Sequence, residues 1–153
     1  MSEKFYLAHL FRPIQEGARV RGKWPLHMTI VPPVEGHYYR KMGLDKIASR
    51  SDAFDTSIIG KDYLGTNNDV RAEMVGKVFE LTNLRVGLIS QIESLGYEVP
   101  KDFEFNPHFS SGGGILQLGQ KIHVNEVSVL VNNDGNKHIV HNMKLRELDE
   151  KTT

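Results

Sequence analysis

Two short strings constrain this chain more than anything else in it: His27-Met28-Thr29-Ile30 and Pro107-His108-Phe109-Ser110. Each sets a histidine two residues before a hydroxyl residue, inside a segment that reads as a β-strand. Residues i and i+2 of a strand project from the same face, so each string places an imidazole beside a hydroxyl. Ile30 and Val31 extend the first string as a β-branched run, and Pro25 and Pro107 stand just upstream of the two histidines. One string falls in each half of the chain, the spacing of a duplicated architecture. If the two strands lie together, two imidazoles and two hydroxyls converge on one small volume, an apparatus for acid–base chemistry at a phosphate.

The pattern around the strings is mostly strand. Residues 5–11 form a compact apolar stretch closed by Pro13, and 26–31 a second strand that Pro32-Pro33 is expected to terminate. A helix is expected over 37–49, weakened by Gly43. Strands follow over 54–65 and 70–78. Leu81, Leu84, Leu88, Ile92 and Leu95 make one stripe at three- and four-residue steps, a helix with Gly96 as its stop. A short strand over 105–110 carries the second string. Alternation resumes over 121–131 with a phase shift near Asn125, and 132–136 signals a hairpin into a strand over 138–145. Residues 146–153 are a polar tail. Without regular βαβ alternation, the fold class is α+β.

A chain of 153 residues fits one domain that buries about 70% of its unfolded surface. Formal net charge is zero. That removes the long-range pull toward a polyanion and speaks against a basic groove tracking long RNA, while fitting a small or terminal phosphate held at one spot. The absence of cysteine excludes disulfide scaffolds, thiolate metal sites and cysteine nucleophiles. The start Met1-Ser2-Glu3-Lys4 lacks the apolar core of a signal peptide, and no apolar run has the length of a membrane span. A cytoplasmic protein without membrane contact is expected.

The two strings resemble the paired motifs of the two-histidine phosphoesterases, which include the 2′-5′ RNA ligase-like cyclic phosphodiesterases. The segment from Trp24 to Val34 is similar to the first motif, and Gly96-Tyr97 through Ser110 to the approach to the second. The chain departs from the family after Ser110, where Ser111-Gly112-Gly113-Gly114 replaces the usual apolar or basic residues. The resemblance implies a single bilobal domain over 1–153, with two antiparallel sheets related by a pseudo-twofold axis, helices outside and a central cleft. It implies a phosphodiesterase acting on a 2′,3′-cyclic phosphate or a 2′-5′ linkage of an RNA end or small nucleotide, with His108 as base and His27 as acid. Cyclic oligonucleotide signals fall within the same class.

In this scheme Thr29 and Ser110 donate hydrogen bonds to the non-bridging oxygens. No metal or cofactor is required, and a monomer is expected. Arg19, Arg21 and Lys23 form the most basic stretch and read either as a solvated loop or as a phosphate clamp at the cleft mouth. Trp24 and Tyr97 are suited to stacking a base, though Trp24 equally fits a loop anchor. Gly112 and its neighbours would let backbone amides approach a phosphate. His9 reads as structural, His37 as a surface residue at a helix start, and a zinc site from His123, His138 and His141 is disfavoured because residues three apart in a strand point to opposite faces. The rival classes are a non-catalytic nucleotide-binding module and a metal-dependent hydrolase.

Overall fold

The computed structural model describes residues 3–64, 67, 70–101, 104–110 and 116–147. Its elements are β1 (Glu3–Leu10), β2 (Arg19–Val20), β3 (His27–Glu35), a 3-10 turn (Arg40–Met42), α1 (Leu44–Arg50), β4 (Phe54–Leu64), β5 (Val70–Val75), α2 (Phe79–Ser94), β6 (His108–Ser110), β7 (Lys121–Val124), β8 (Glu126–Asn133) and β9 (Asn136–Lys144). The class is α+β, as expected.

The strands form one antiparallel series in the order β2-β9-β8-β1-β3-β6-β5-β4-β7. β7 and β8 are joined through Asn125 alone, yet they stand six places apart in that order. In a flat sheet this would separate them by about 29 Å, at about 4.8 Å per strand. The series therefore curls back toward its own beginning. Main-chain bonds from Ala53 N–H to the Arg146 carbonyl (2.8 Å) and from Leu145 N–H to the Asn125 carbonyl (2.9 Å) tie the two ends. The two sheets implied by the resemblance are thus one curled run in hydrogen-bonding terms, thinnest between β3 and β6, where the register contains the single pair Met28↔Phe109. The phase shift near Asn125 marks the point where the chain leaves one end of this run for β1 and β9.

Pro32-Pro33 does not end β3, which continues to Glu35. The register steps from Phe5↔Val34 to Leu7↔Val31, so the two prolines face Tyr6 alone in a bulge, where the missing N–H groups leave no ladder bond unmade. The helix expected over 37–49 is instead the 3-10 turn and α1, separated at Gly43, whose φ of 80° suits glycine. The stripe of α2 is buried at Leu81, Leu84, Leu88 and Ile92, and Gly96 follows the helix end with positive φ. The hairpin closes on Asp134-Gly135, with Asn133 paired to Asn136.

Both helices pack on one face of the sheet, against Phe5, Leu7, Met28, Ile30, Val129 and Phe109. A smaller cluster of Tyr6, Ala8, Leu10, Leu130 and Ile139 lies on the other face, beneath Ile14, Val20 and Trp24 of the segment between β1 and β3, which includes β2. That second face carries His27 and His108. No helix among the described residues is long and apolar enough to cross a membrane.

Candidate active site

The pair Met28↔Phe109 makes the two strings neighbours in an antiparallel ladder. One step either side, His27 lies across from Ser110 and Thr29 across from His108. Met28 and Phe109 are fully buried toward the helices, so alternation turns His27, Thr29, His108 and Ser110 to the opposite face. The four polar groups therefore occupy about two strand widths of one surface. Hydrogen-bond register, not proximity in sequence, creates the cluster.

The histidines are held alike. His27 Nδ1 lies 2.8 Å from the Pro25 carbonyl, and His108 Nδ1 lies 2.7 Å from the Asn106 carbonyl. A carbonyl only accepts, so Nδ1 carries the proton in each and Nε2 keeps its lone pair in the neutral ring. Their surroundings differ. His27 lies near the Tyr6 ring, with centroids 6.3 Å apart, and burial is the main cause of a pKa below the usual imidazole value. The Pro25 carbonyl opposes that shift, and the charge of His108 adds to it.

No family model matches the chain, and no curated protein sequence matches it. Solved structures do. A phosphoesterase aligns over 95% of this chain and 99% of its own, at 17% identity and a TM-score of 0.58. E. coli LigT complexed with 3′-AMP aligns over 95% and 99%, at 17% identity and a TM-score of 0.60. This chain has a LigT-like fold. The LigT complex with ATP matches to a similar degree, at 15% identity, a TM-score of 0.58, and 95% and 99% coverage.

In this LigT-like fold, the Met28↔Phe109 register gathers only the four groups named, and the other expected site residues are placed by other contacts where they are described. Arg19 belongs to β2, four places from β3 in the strand order, and its guanidinium donates to Asn136 Oδ1 at 3.1 Å. Arg21 and Lys23 are exposed in the loop that follows. Trp24 meets the Tyr6 ring edge-on at 5.5 Å, hydrogen-bonds to it and lies under the Lys137 amine, so it anchors the loop. Tyr97 packs against Phe5 on the helical side and donates to the His37 carbonyl at 2.9 Å. Gly112 lies outside the described residues, as does the rest of 111–115.

The remaining histidines are not gathered. His9 faces the helical side with Nδ1 on the Glu126 carbonyl at 3.0 Å, His141 meets the buried Tyr38 hydroxyl at 2.6 Å, and His123 bridges Asp55 and Glu147 at 2.7 and 2.9 Å. Among the described residues, no three His, Asp or Glu side chains could hold a metal ion.

Two features are not apparent from the strings. One is the carbonyl two residues before each histidine, supplied by Pro25 itself in the first string and by Asn106, beside Pro107, in the second. The other is Arg85 of α2, which lines a cavity of about 150 Å³ together with Thr29, Phe105, Asn106 and His108. Larger cavities, of about 780 and 700 Å³, are lined by neither His27 nor His108 and lie at Lys4, Glu35 and Lys101 and at Tyr38, Tyr39 and Arg40. Convergence of chemical groups, rather than cavity size, marks the candidate site.

Proposed function

We propose that this chain is a phosphodiesterase that opens a 2′,3′-cyclic phosphate, or cleaves a 2′-5′ phosphodiester, of an RNA end or small nucleotide. The observation that carries this reading is the Met28↔Phe109 register, which turns both histidines and both hydroxyls to one face. The LigT-like fold supports it, and the complexes of LigT with 3′-AMP and ATP support a nucleotide as ligand. The halves of the strand run on either side of the β3/β6 seam are the two lobes of this reading.

In the hydrolytic step, one histidine Nε2 removes a proton from water as the oxygen attacks phosphorus. The bond from phosphorus to the departing ribose oxygen breaks, and that oxygen takes its proton from the other, protonated imidazole. Thr29 and Ser110 donate to the non-bridging oxygens as charge builds on them. Each step uses side chains alone. The resemblance assigns His108 as base. Burial of His27 keeps its Nε2 unprotonated at neutral pH, and on that ground we assign it the base role in hydrolysis, with the more exposed His108 as acid. The reverse reaction exchanges the two roles.

The test is hydrolysis of the four nucleoside 2′,3′-cyclic monophosphates with EDTA present, at pH 5 to 9, by wild type, His27→Ala and His108→Ala. A bell-shaped wild-type profile, with each variant down at least about a hundredfold, is expected. Turnover abolished by chelation would instead assign a metal-dependent hydrolase. Nucleotide binding without turnover of cyclic or 2′-5′ substrates would assign a binding module.

A further inference from the structure

Past the single pair Met28↔Phe109, β3 has no partner on its β6 side among the described residues, and the sheet is split there. In that split lies the cavity of about 150 Å³, walled by Thr29, Pro100, Glu104, Phe105 and His108, and by Arg85 from the helical layer. A cavity of this size holds several waters, enough for a tetrahedral oxyanion.

Arg85 is unusual among the cations of this molecule. Its guanidinium carbon stands 4.5 Å from the Phe105 ring centroid, so one face of the group is covered and its plane is fixed. Its Nε atom is buried without a hydrogen-bond partner, and no carboxylate among the described residues pairs with it. Glu104 in the same wall is exposed and forms no ion pair with it. Burial alone pushes the guanidinium below its usual pKa. A partly desolvated cation without a counter-charge is costly, and an anion entering the cavity would offset that cost. The planar fork of donors suits a phosphate.

The cavity touches Thr29 and His108 but neither His27 nor Ser110. An anion beside Arg85 is therefore displaced to one side of the four-residue centre, which already supplies the donors for the phosphate under attack. We propose that Arg85, stacked on Phe105, binds a second phosphate of the substrate, so that the preferred substrates are nucleotides or RNA ends carrying a further phosphate near the one that is cleaved. This assignment rests on the phosphodiesterase reading for the identity of the first phosphate.

The test compares adenosine 3′-phosphate with adenosine 3′,5′-bisphosphate, measured by calorimetric titration of the full chain at fixed ionic strength. Neither ligand contains a phosphodiester, so binding is read apart from turnover. Wild type is expected to bind the bisphosphate at least about tenfold more tightly, the size of one charge-assisted contact. Arg85→Gln is expected to bring the two dissociation constants within about twofold of each other. Arg85→Lys, which keeps the charge but loses the fork, is expected to fall between. A wild-type ratio near one, no binding of the bisphosphate, or a ratio retained in folded Arg85→Gln overturns the proposal. Equal weakening of both ligands in Arg85→Gln does so too, placing the guanidinium on the first phosphate. If cyclic phosphates are hydrolysed but the ratio fails, only the second-phosphate subsite falls. If the ratio holds without hydrolysis, the subsite stands and the phosphodiesterase reading falls.

Discussion

The two histidine strings have the same chemistry in unlike frames. The first lies in a nine-residue strand bound along its length to β1, and its imidazole is partly covered by Tyr6. The second lies in a three-residue strand, β6, with a more open imidazole. What they share is the hydrogen bond from Nδ1 to the carbonyl two residues back. The shared contact fixes which nitrogen is free, while burial lowers the proton affinity of His27. A general base needs both: a free nitrogen with a fixed aim, and a neutral ring at working pH.

The comparison is broken most severely by removing either imidazole. His27→Ala and His108→Ala are each expected to lower kcat/KM for a cyclic phosphate by about 10²- to 10⁴-fold. The double variant should lose little more than the worse single one, because the two groups act as a unit. Additive losses in steady-state assays would separate their roles. Next come the hydroxyls. Thr29→Val and Ser110→Ala should lower kcat by about a hundredfold with a smaller change in KM, as expected of donors aimed at developing charge. A change confined to KM would make them ground-state contacts.

The buried partners of the strings bear on stability rather than chemistry. Phe109→Ala should cost about 3–5 kcal/mol and Met28→Ala about 2–5 kcal/mol in denaturant unfolding, because both side chains fill the core behind the seam. Values near zero would mean that the seam does not face the core.

Protonation gives a smaller and signed effect. His9, His27 and His141 all have pKa values lowered by burial, so each is favoured as neutral in the folded chain. The unfolded chain takes up these protons first, near the ordinary value of about 6.5. Their contribution to stability is therefore complete above that pH and is lost as pH falls toward the folded values. His123, raised by Glu147 and Asp55, contributes in the opposite sense, and its exposure makes that term weak. Thermal unfolding should thus show a melting temperature that drops between about pH 7 and pH 5; a flat or rising trend would contradict these shifts. The smallest effects belong to the basic loop. Arg19→Ala, at the sheet edge, should change kcat/KM by less than about twofold.

These contrasts show what the chain states locally and what it does not. The strings, the leucine stripe of α2 and the Asp134-Gly135 hairpin are legible because each depends on residues within one or two turns or a strand pair. The curl that returns β7 to β8, and the path of β3 through Pro32-Pro33, depend on partners far away in sequence; the prolines are harmless only because they fall in a bulge against Tyr6. Charge in the loop over 13–24 is plain in the sequence, yet nothing local indicates that Arg19 comes to rest on Asn136. Arg85 is hidden for a related reason: it flanks the apolar stripe between Leu84 and Leu88, a position that ordinarily faces water.

The most direct test is an ¹⁵N NMR titration of the histidine rings in wild type and His108→Ala. At high pH, His27 and His108 of the wild type should both show the Nδ1–H tautomer, and His27 should titrate below the ordinary imidazole value. In His108→Ala, the loss of a neighbouring charge should move the His27 titration upward. Nε2–H tautomers, or a His27 titration indifferent to the loss of His108, would show that the two strings do not form one acid–base site.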